Sequence, residues 1–182
     1  MSSAHAPLSS IPHQSLRALR AALVRDLGDQ FAGPLQEAGF AGGATVLEAF
    51  REWCAAHGFA APADLPMPRF REAARGFFLE AGWGDVTFEA LGDAAVALDA
   101  HDWAEADPTT PMPYPSCFYS AGMLADLFGR VAEGPLACLE VACRSSGAAR
   151  CRFLLGSPEI LGRVYERIVE GADHRDAVRE LA

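Results

Sequence analysis

Residues 115–156 have the sequence PSCFYSAGMLADLFGRVAEGPLACLEVACRSSGAARCRFLLG. In the first part of this segment apolar residues recur every three or four positions, which predicts a helix over residues 116–130. Two patterns typical of strands follow at residues 136–144 and 150–155, and the Ser-Ser-Gly sequence at 145–147 is typical of a turn. This segment is therefore predicted to form a helix followed by a β-hairpin.

A second hairpin is predicted upstream, at residues 85–91 and 94–100, because Gly92-Asp93 joins two largely apolar segments there. Much of the remaining chain has the apolar spacing of helices. The predicted helices cover residues 14–29, 34–38, 45–57, 68–81 and 158–170, with a bend at Gly39, Gly42 and Gly43. Two hairpins accompanied by helices predict the α+β class, with an antiparallel four-stranded sheet packed with helices on one face.

The composition excludes several classes of function. The net charge is −9 and all 15 basic residues are arginine, so we expect no nucleic-acid partner, because such binding needs cations to neutralise phosphates. The absence of lysine excludes a Schiff base on the chain and a Walker-type phosphate loop. No apolar segment approaches the ~20 residues that span a bilayer. No signal peptide is visible either, so we expect a cytoplasmic protein with no membrane partner.

Four of the five cysteines lie between positions 117 and 151. Cys143 and Cys151 are each four residues from Gly147, the centre of the predicted turn. They would therefore face each other across the hairpin, with Cβ atoms roughly 4.5–5.5 Å apart. Two thiols in that position either form a disulfide or bind a metal ion, and a reducing compartment favours the metal. The alternative is that these cysteines are buried and pack as small apolar side chains.

Glu140 and Cys117 complete a candidate set of four metal ligands. Glu140 precedes Cys143 by three residues, so in a regular strand the two side chains would point to opposite faces of the sheet. They can bind one ion only if a bulge or a strand end lies between them. Cys117 lies at the start of the predicted helix. Three thiolates and one carboxylate form a closed tetrahedral set, which is typical of structural zinc rather than of a catalytic site.

Aromatic residues around the predicted sheet are candidates for a ligand pocket. A flat apolar molecule would fit between such side chains, although aromatic residues at these positions also serve simply as core. His101 and Trp103 follow a predicted strand and would add a polar contact and a wall. The candidate pocket residues are Phe77, Phe78, Trp83, Phe88, His101, Trp103, Phe118 and Tyr119.

These residues occur in an order that resembles the signature of the 4-vinyl reductase domain family, a relative of the phenol-sensing domains of aromatic-catabolism activators. The signature is a Cys before a helix, Glu-x-x-Cys, a Gly-containing turn and Cys-x-Phe. Here it is met by Cys117, by Glu140 and Cys143, by Gly147, and by the segment beginning at Cys151. The resemblance implies the NO-signalling and Golgi-transport type of ligand-binding fold and zinc bound by the three cysteines and the glutamate. It also implies a bacterial homodimer formed through N-terminal helices.

The resemblance further implies a sensor or carrier domain for a small hydrophobic or aromatic molecule, with no catalytic residues. The alternatives are an accessory protein that handles tetrapyrrole intermediates of bacteriochlorophyll synthesis, and a protein-docking module without a ligand. Counted without gaps from the first Cys, the positions at which phenol sensors hold their ligand carry Pro68 and Val96 here. We expect a flexible segment at 1–12, the domain at 13–172, and a short helix or tail at 173–182.

Overall fold

Four strands form one antiparallel sheet in the computed structural model, which describes residues 12–181. The strands are β1 (Val86–Leu91), β2 (Ala95–Ala100), β3 (Ala137–Ala142) and β4 (Cys151–Gly156), and their order across the sheet is β1-β2-β4-β3. Each predicted hairpin is therefore present, and the two hairpins join through β2 and β4. The α+β class and the four-stranded antiparallel sheet are confirmed.

Six α-helices accompany the sheet in the described part of the chain. The last two begin at side-chain caps, because Ser157 accepts a hydrogen bond from the amide of Ile160 and Asp173 accepts one from Arg175. None of the helices in residues 12–181 is long and apolar enough to cross a bilayer. The helices are α1 (His13–Leu27), α2 (Ala32–Ala56), α3 (Met67–Glu80), α4 (Phe118–Val131), α5 (Pro158–Val169) and α6 (His174–Arg179).

Helices cover both faces of the sheet, not one face as the sequence predicts. Leu98 and Phe153 face the larger core, which they share with α2, α3 and α4. Ala97 and Leu154 face a second core with α5 and α6. Every residue of the central strand β4 is buried, because a strand covered on both faces has no side exposed to water.

Helix α2 runs without interruption through Gly39, Gly42 and Gly43, so the bend predicted at residues 39–43 is wrong. A Cβ atom on Gly39 would lie 1.9 Å from the carbonyl oxygen of Tyr119, and one on Gly122 would lie 2.0 Å from the carbonyl oxygen of Gln36. The missing side chains therefore allow the backbones of α2 and α4 to touch. This close packing offsets the ~1 kcal/mol that a glycine costs inside a helix.

The first helix is tied to the rest of the fold by a buried arginine. Arg20 donates hydrogen bonds to the carbonyl oxygen of Glu105 at 3.2 Å and to Oγ of Ser145 at 3.4 Å. The predicted flexible segment falls almost entirely on residues 1–11, which lie outside the described residues. The short helix predicted near the C-terminus is present as α6.

Candidate functional site

Four side chains from three parts of the chain converge at one end of the sheet. The ligand atoms of Cys117, Glu140, Cys143 and Cys151 all lie within 4.8 Å of one another. The sulfur atoms of Cys117 and Cys143 are 3.7 Å apart. All three cysteines are buried and carry free thiols. The structure therefore brings together the complete set of metal ligands that the sequence predicts.

A β-bulge lets Glu140 and Cys143 point to the same side. Glu140 pairs with Phe153, but the register then shifts, so that Ala142 pairs with Arg152. Continuing this shifted register by one residue brings Cys143 opposite Cys151. Without the extra residue the alternation of strand side chains would turn the carboxylate and the thiol to opposite faces. The bulge that one ion shared by Glu140 and Cys143 requires is therefore present.

A buried carboxylate positions the fourth ligand. Cys117 immediately precedes α4 and provides no side-chain cap for it. Instead, the carboxylate of Glu105 accepts hydrogen bonds from the amide groups of Tyr119 and Ser120, at 3.1 and 2.7 Å. Carboxylates stabilise helix N-termini because the first amide groups have no partner within the helix. Glu105 therefore fixes the start of α4, and with it the position of the Cys117 sulfur.

The electrostatics of the cluster are those of acidic groups crowded together in the interior. Burial raises the pKa of Glu140 and of Cys117 well above their usual values. The pKa of Cys143 is lowered, because the thiols of Cys117 and Cys151 donate hydrogen bonds to its sulfur. The four groups therefore share little negative charge unless a cation lies among them.

The donor set fits a zinc ion. Two thiolates on one tetrahedral zinc ion, each at about 2.3 Å from the metal, lie about 3.8 Å apart, and the sulfurs of Cys117 and Cys143 match that spacing. The Oε2 atom of Glu140 accepts a hydrogen bond from the amide of Cys117 at 2.8 Å. Its Oε1 atom is buried and has no hydrogen-bond partner within residues 12–181. An unpartnered buried carboxylate oxygen beside three sulfurs is the arrangement that a bound cation satisfies.

Two arginines next to the cluster have a different role from the one their positions suggest. Arg150 and Arg152 flank Cys151 in sequence, where they could offset the charge of the metal ligands. Instead, Arg150 and Arg152 both form ion pairs with Asp99, and Arg152 also pairs with Glu89. Because strand side chains alternate, these contacts lie on the face of the sheet opposite to Cys151.

An apolar cavity lies at the other end of α4. Its volume is about 520 Å³. One wall is formed by the connection between α2 and α3 and the start of α3, including Leu65 and Phe70. The opposite wall comes from β2 and β4, including Val96 and Leu155, and Phe128 of α4 lines it as well. Cavities of this size and lining are typical of sites for small molecules.

The structure places most of the predicted pocket residues elsewhere. Of the eight, only Phe88 lines this cavity. Phe77, Phe78 and Trp103 are buried core residues, and the indole of Trp103 donates a hydrogen bond to Ser120. The remaining four lie in partly exposed or exposed positions: Trp83, His101, Phe118 and Tyr119.

Sequence reasoning missed the residues that do line the cavity. The connection between α2 and α3 contributes Pro62, Ala63 and Leu65, and its proline content indicates only a loop. One signal could have pointed to them: counting back from Cys117 without gaps puts Val96 at a position where phenol sensors hold their ligand. Val96 does line the cavity, whereas Pro68, the other such position, is not among its lining residues.

Comparisons with known proteins agree with this architecture. Residues 99–157 match the family model of the vinyl-4-reductase domain. The chain is similar in structure to the phenol-responsive sensory domain of the transcription activator PoxR, solved with phenol. That comparison has a TM-score of 0.65 and 18% identity, over 84% of this chain and 77% of that one. The resemblance to the 4-vinyl reductase family is confirmed. No curated protein matches the chain in sequence.

Two further solved structures share the fold. A vinyl-4-reductase family protein from Methanocaldococcus jannaschii has a TM-score of 0.54 and 16% identity, over 81% of this chain and 82% of that one. A trafficking protein particle complex subunit 3 from Naegleria fowleri, covalently bound to palmitic acid, has a TM-score of 0.59 and 12% identity. That comparison covers 79% of this chain and 91% of the subunit. At these identities the likeness concerns the fold.

Proposed function

Because residues 99–157 match the vinyl-4-reductase domain, we propose that this protein is a zinc-stabilised domain that binds a small hydrophobic molecule, as a sensor or carrier. The observation that carries the ligand-binding part is the apolar cavity of about 520 Å³ between α3, α4 and the sheet. The molecules bound in two of the similar structures, phenol and palmitic acid, are both largely hydrophobic. They support the same class of ligand here.

The metal is proposed to be held by Cys117, Glu140, Cys143 and Cys151. Three sulfurs and one carboxylate oxygen favour zinc over the harder cations, which prefer oxygen ligands. Four protein ligands fill a tetrahedral shell and leave no position for water, so the ion supplies cross-linking rather than catalysis. Reduced thiols at this site are compatible with the proposed cytoplasmic location.

The ion and the cavity occupy opposite ends of the same helix. Cys117 precedes α4, whereas Phe128 lies near its end and lines the cavity. At 1.5 Å per residue the two positions are about 16 Å apart along the helix. A metal at that distance does not touch a ligand in the cavity. Its proposed role is to join the second hairpin to α4 and so to hold two of the cavity's walls.

A protein-docking module without a ligand is less well supported. That alternative requires aromatic side chains to fill the space beside the sheet. The structure instead has open space there, bordered by Phe70, Phe88 and Phe128 rather than filled by them. Among the residues that the structure describes, no specific contact favours a tetrapyrrole over other hydrophobic molecules.

We also propose that the protein is a homodimer. Leu19 and Leu27 on α1 and Phe40 on α2 are exposed by 52%, 41% and 52%. Leu23, half-buried, lies between the two leucines at the same four-residue spacing. Leu19, Leu23 and Leu27 lie along one side of α1, and a row of exposed apolar side chains is typical of protein interfaces. This is the surface that the N-terminal helices would offer to a second copy of the chain.

Metal analysis of the purified protein tests the zinc site. We expect about one zinc per chain, and we expect Cys143→Ser to lose it and to melt about 10 °C lower, because binding of a structural ion contributes directly to folding. The matched control is Cys138→Ser, which changes a buried cysteine of the same hairpin outside the cluster. Wild-type protein without zinc, or Cys143→Ser with unchanged zinc content, would contradict the assignment.

A further inference from the structure

We infer that the cavity takes an uncharged hydrophobic molecule larger than one aromatic ring and without a polar group that must be buried. This inference rests on the proposed ligand-binding function and specifies its ligand class. It follows from three properties of the cavity: the chemistry of its lining, the charge at its edge, and its volume.

The lining offers almost no hydrogen-bonding side chains. Within residues 12–181, nineteen residues line the cavity, and of these only Asp93 and Ser157 have polar side chains. The hydroxyl group of Ser157 already accepts a hydrogen bond from the amide of Ile160, which starts α5. Backbone groups of Ala95, Val96, Leu155 and Gly156 belong to paired strands of the sheet. A hydroxyl or carboxyl group buried here would therefore find few partners to replace the hydrogen bonds that it makes with water.

The charge around the cavity disfavours anions. Asp93 lies in the exposed turn between β1 and β2 and is the one ionisable residue of the lining in the part of the chain that the structure describes. Neither arginine nor histidine is among those described lining residues, and the whole chain carries a net charge of −9. A carboxylate ligand would find no cation to pair with and would approach a like charge. Neutral molecules are therefore favoured over their carboxylate counterparts.

The volume exceeds what a single ring needs. An apolar protein cavity of about 150 Å³ is enough to bind benzene, and this cavity is about 520 Å³. A larger hydrophobic molecule removes more apolar surface from water, and each additional buried carbon strengthens binding. A two-ring compound should therefore bind more tightly than a one-ring compound of the same chemistry.

A matched series of ligands tests this inference by calorimetric titration of the zinc-loaded protein. The series is naphthalene, 2-naphthol and 2-naphthoate, which share one skeleton, with toluene as the one-ring member. We expect naphthalene to bind most tightly. Naphthol and toluene should each bind about tenfold more weakly, and naphthoate should show no detectable binding. Tighter binding of naphthol or naphthoate than of naphthalene would overturn the inference while leaving the proposed function intact, whereas binding of none of the four would contradict both.

Two variants of Val96 assign the binding to this cavity. Val96 is half-buried and faces the open space, so Val96→Trp should fill the space and weaken naphthalene binding at least about tenfold. The control Leu79→Trp adds the same bulk at an exposed position that does not line the cavity, and it should bind naphthalene normally. Unchanged binding by folded Val96→Trp would overturn the assignment.

The second variant, Val96→Arg, adds the cation that the lining lacks. It is expected to bind naphthoate more tightly than naphthalene, which reverses the order seen in the wild-type protein. This gain of binding does not depend on whether the tryptophan variant folds. A Val96→Arg protein with the wild-type order of affinities would contradict the argument from charge.

Discussion

Glu105 is a buried carboxyl group whose ionisation is linked to folding. Its side chain is almost completely buried, and burial raises its pKa from 4.5 to about 7, although hydrogen bonds from Ser120 and Tyr119 act in the opposite direction. Arg20 lies close enough to favour the charged form as well. At neutral pH the group is therefore balanced between its protonated and ionised forms, at the point where α4 begins.

The raised pKa predicts how stability depends on pH. A carboxyl group with a higher pKa in the folded state stabilises the protein fully below about pH 4.5, and this contribution is lost as the pH rises through about 7. The loss amounts to about 3 kcal/mol. The glutamine in Glu105→Gln has no carboxyl group to titrate. The unfolding free energy of the wild type minus that of this variant should therefore fall by about 3 kcal/mol between pH 4.5 and 8. Denaturant titrations at several pH values measure it.

The control for this experiment is Glu48→Gln, which changes an exposed glutamate on α2. Because both variants keep the metal ligands, any effect of pH on the metal site cancels in the comparison. A difference between wild type and Glu105→Gln that stays constant with pH would show that the carboxyl group titrates normally in the folded protein.

At the scale of secondary-structure elements, the contact between α2 and α4 determines how the larger core is arranged. The carbonyl oxygens of Gln36 and Tyr119 occupy the space where side chains would begin at Gly122 and Gly39. Main-chain atoms, unlike the ends of long side chains, cannot move aside without disturbing a helix. The separation of these two helices is therefore set by glycine at both positions.

Adding one methyl group at this contact should be strongly destabilising. In Gly122→Ala the new Cβ would lie 2.0 Å from the carbonyl oxygen of Gln36, so the helices must separate, at a cost of about 3 kcal/mol. Gly162→Ala on α5 is the matched control because no atom of residues 12–181 lies within 4 Å of its Cβ position, and it should gain about 0.5–1 kcal/mol. Thermal unfolding compares the two. Equal stability of both variants would refute the role of this contact.

Local patterns in the sequence predict the elements well and their packing less well. Both hairpins are predictable because alternation and turn residues act between neighbouring residues. The continuity of α2 is not, because Gly39 looks the same whether it bends a helix or accommodates another helix. Helices on the second face of the sheet are likewise missed, although Ala97 and Leu154 are apolar residues that point there.

The candidate site shows the same division. Spacing and the family signature predict the four clustered ligands, because each lies at a fixed offset from a strand, a turn or a helix start. The cavity is different, since aromatic character at Phe78 or Trp103 does not reveal whether a side chain fills space or borders it. Open space depends on how whole elements pack, and no single residue encodes it.

At the scale of the whole molecule, the proposed homodimer can be tested through the exposed leucines of α1. Leu19→Glu places a charge within the proposed apolar interface, so we expect a dimeric wild type and a monomeric variant. Light scattering coupled to size-exclusion chromatography measures the masses. Leu79→Glu is the control, because Leu79 is equally exposed, at 53%, but belongs to α3. A monomeric wild-type protein would contradict the proposal.

The glycine contact between α2 and α4 also limits which wall of the cavity can move. Phe128 and Val131 of α4 border the cavity from a helix whose spacing from α2 is fixed by main-chain atoms. Pro62, Ala63 and Leu65 border it from the short proline-containing connection before α3, which takes no part in the glycine contact. A displacement of this connection to fit an occupant would leave the contact between α2 and α4 unchanged, whereas a displacement of α4 would have to break it.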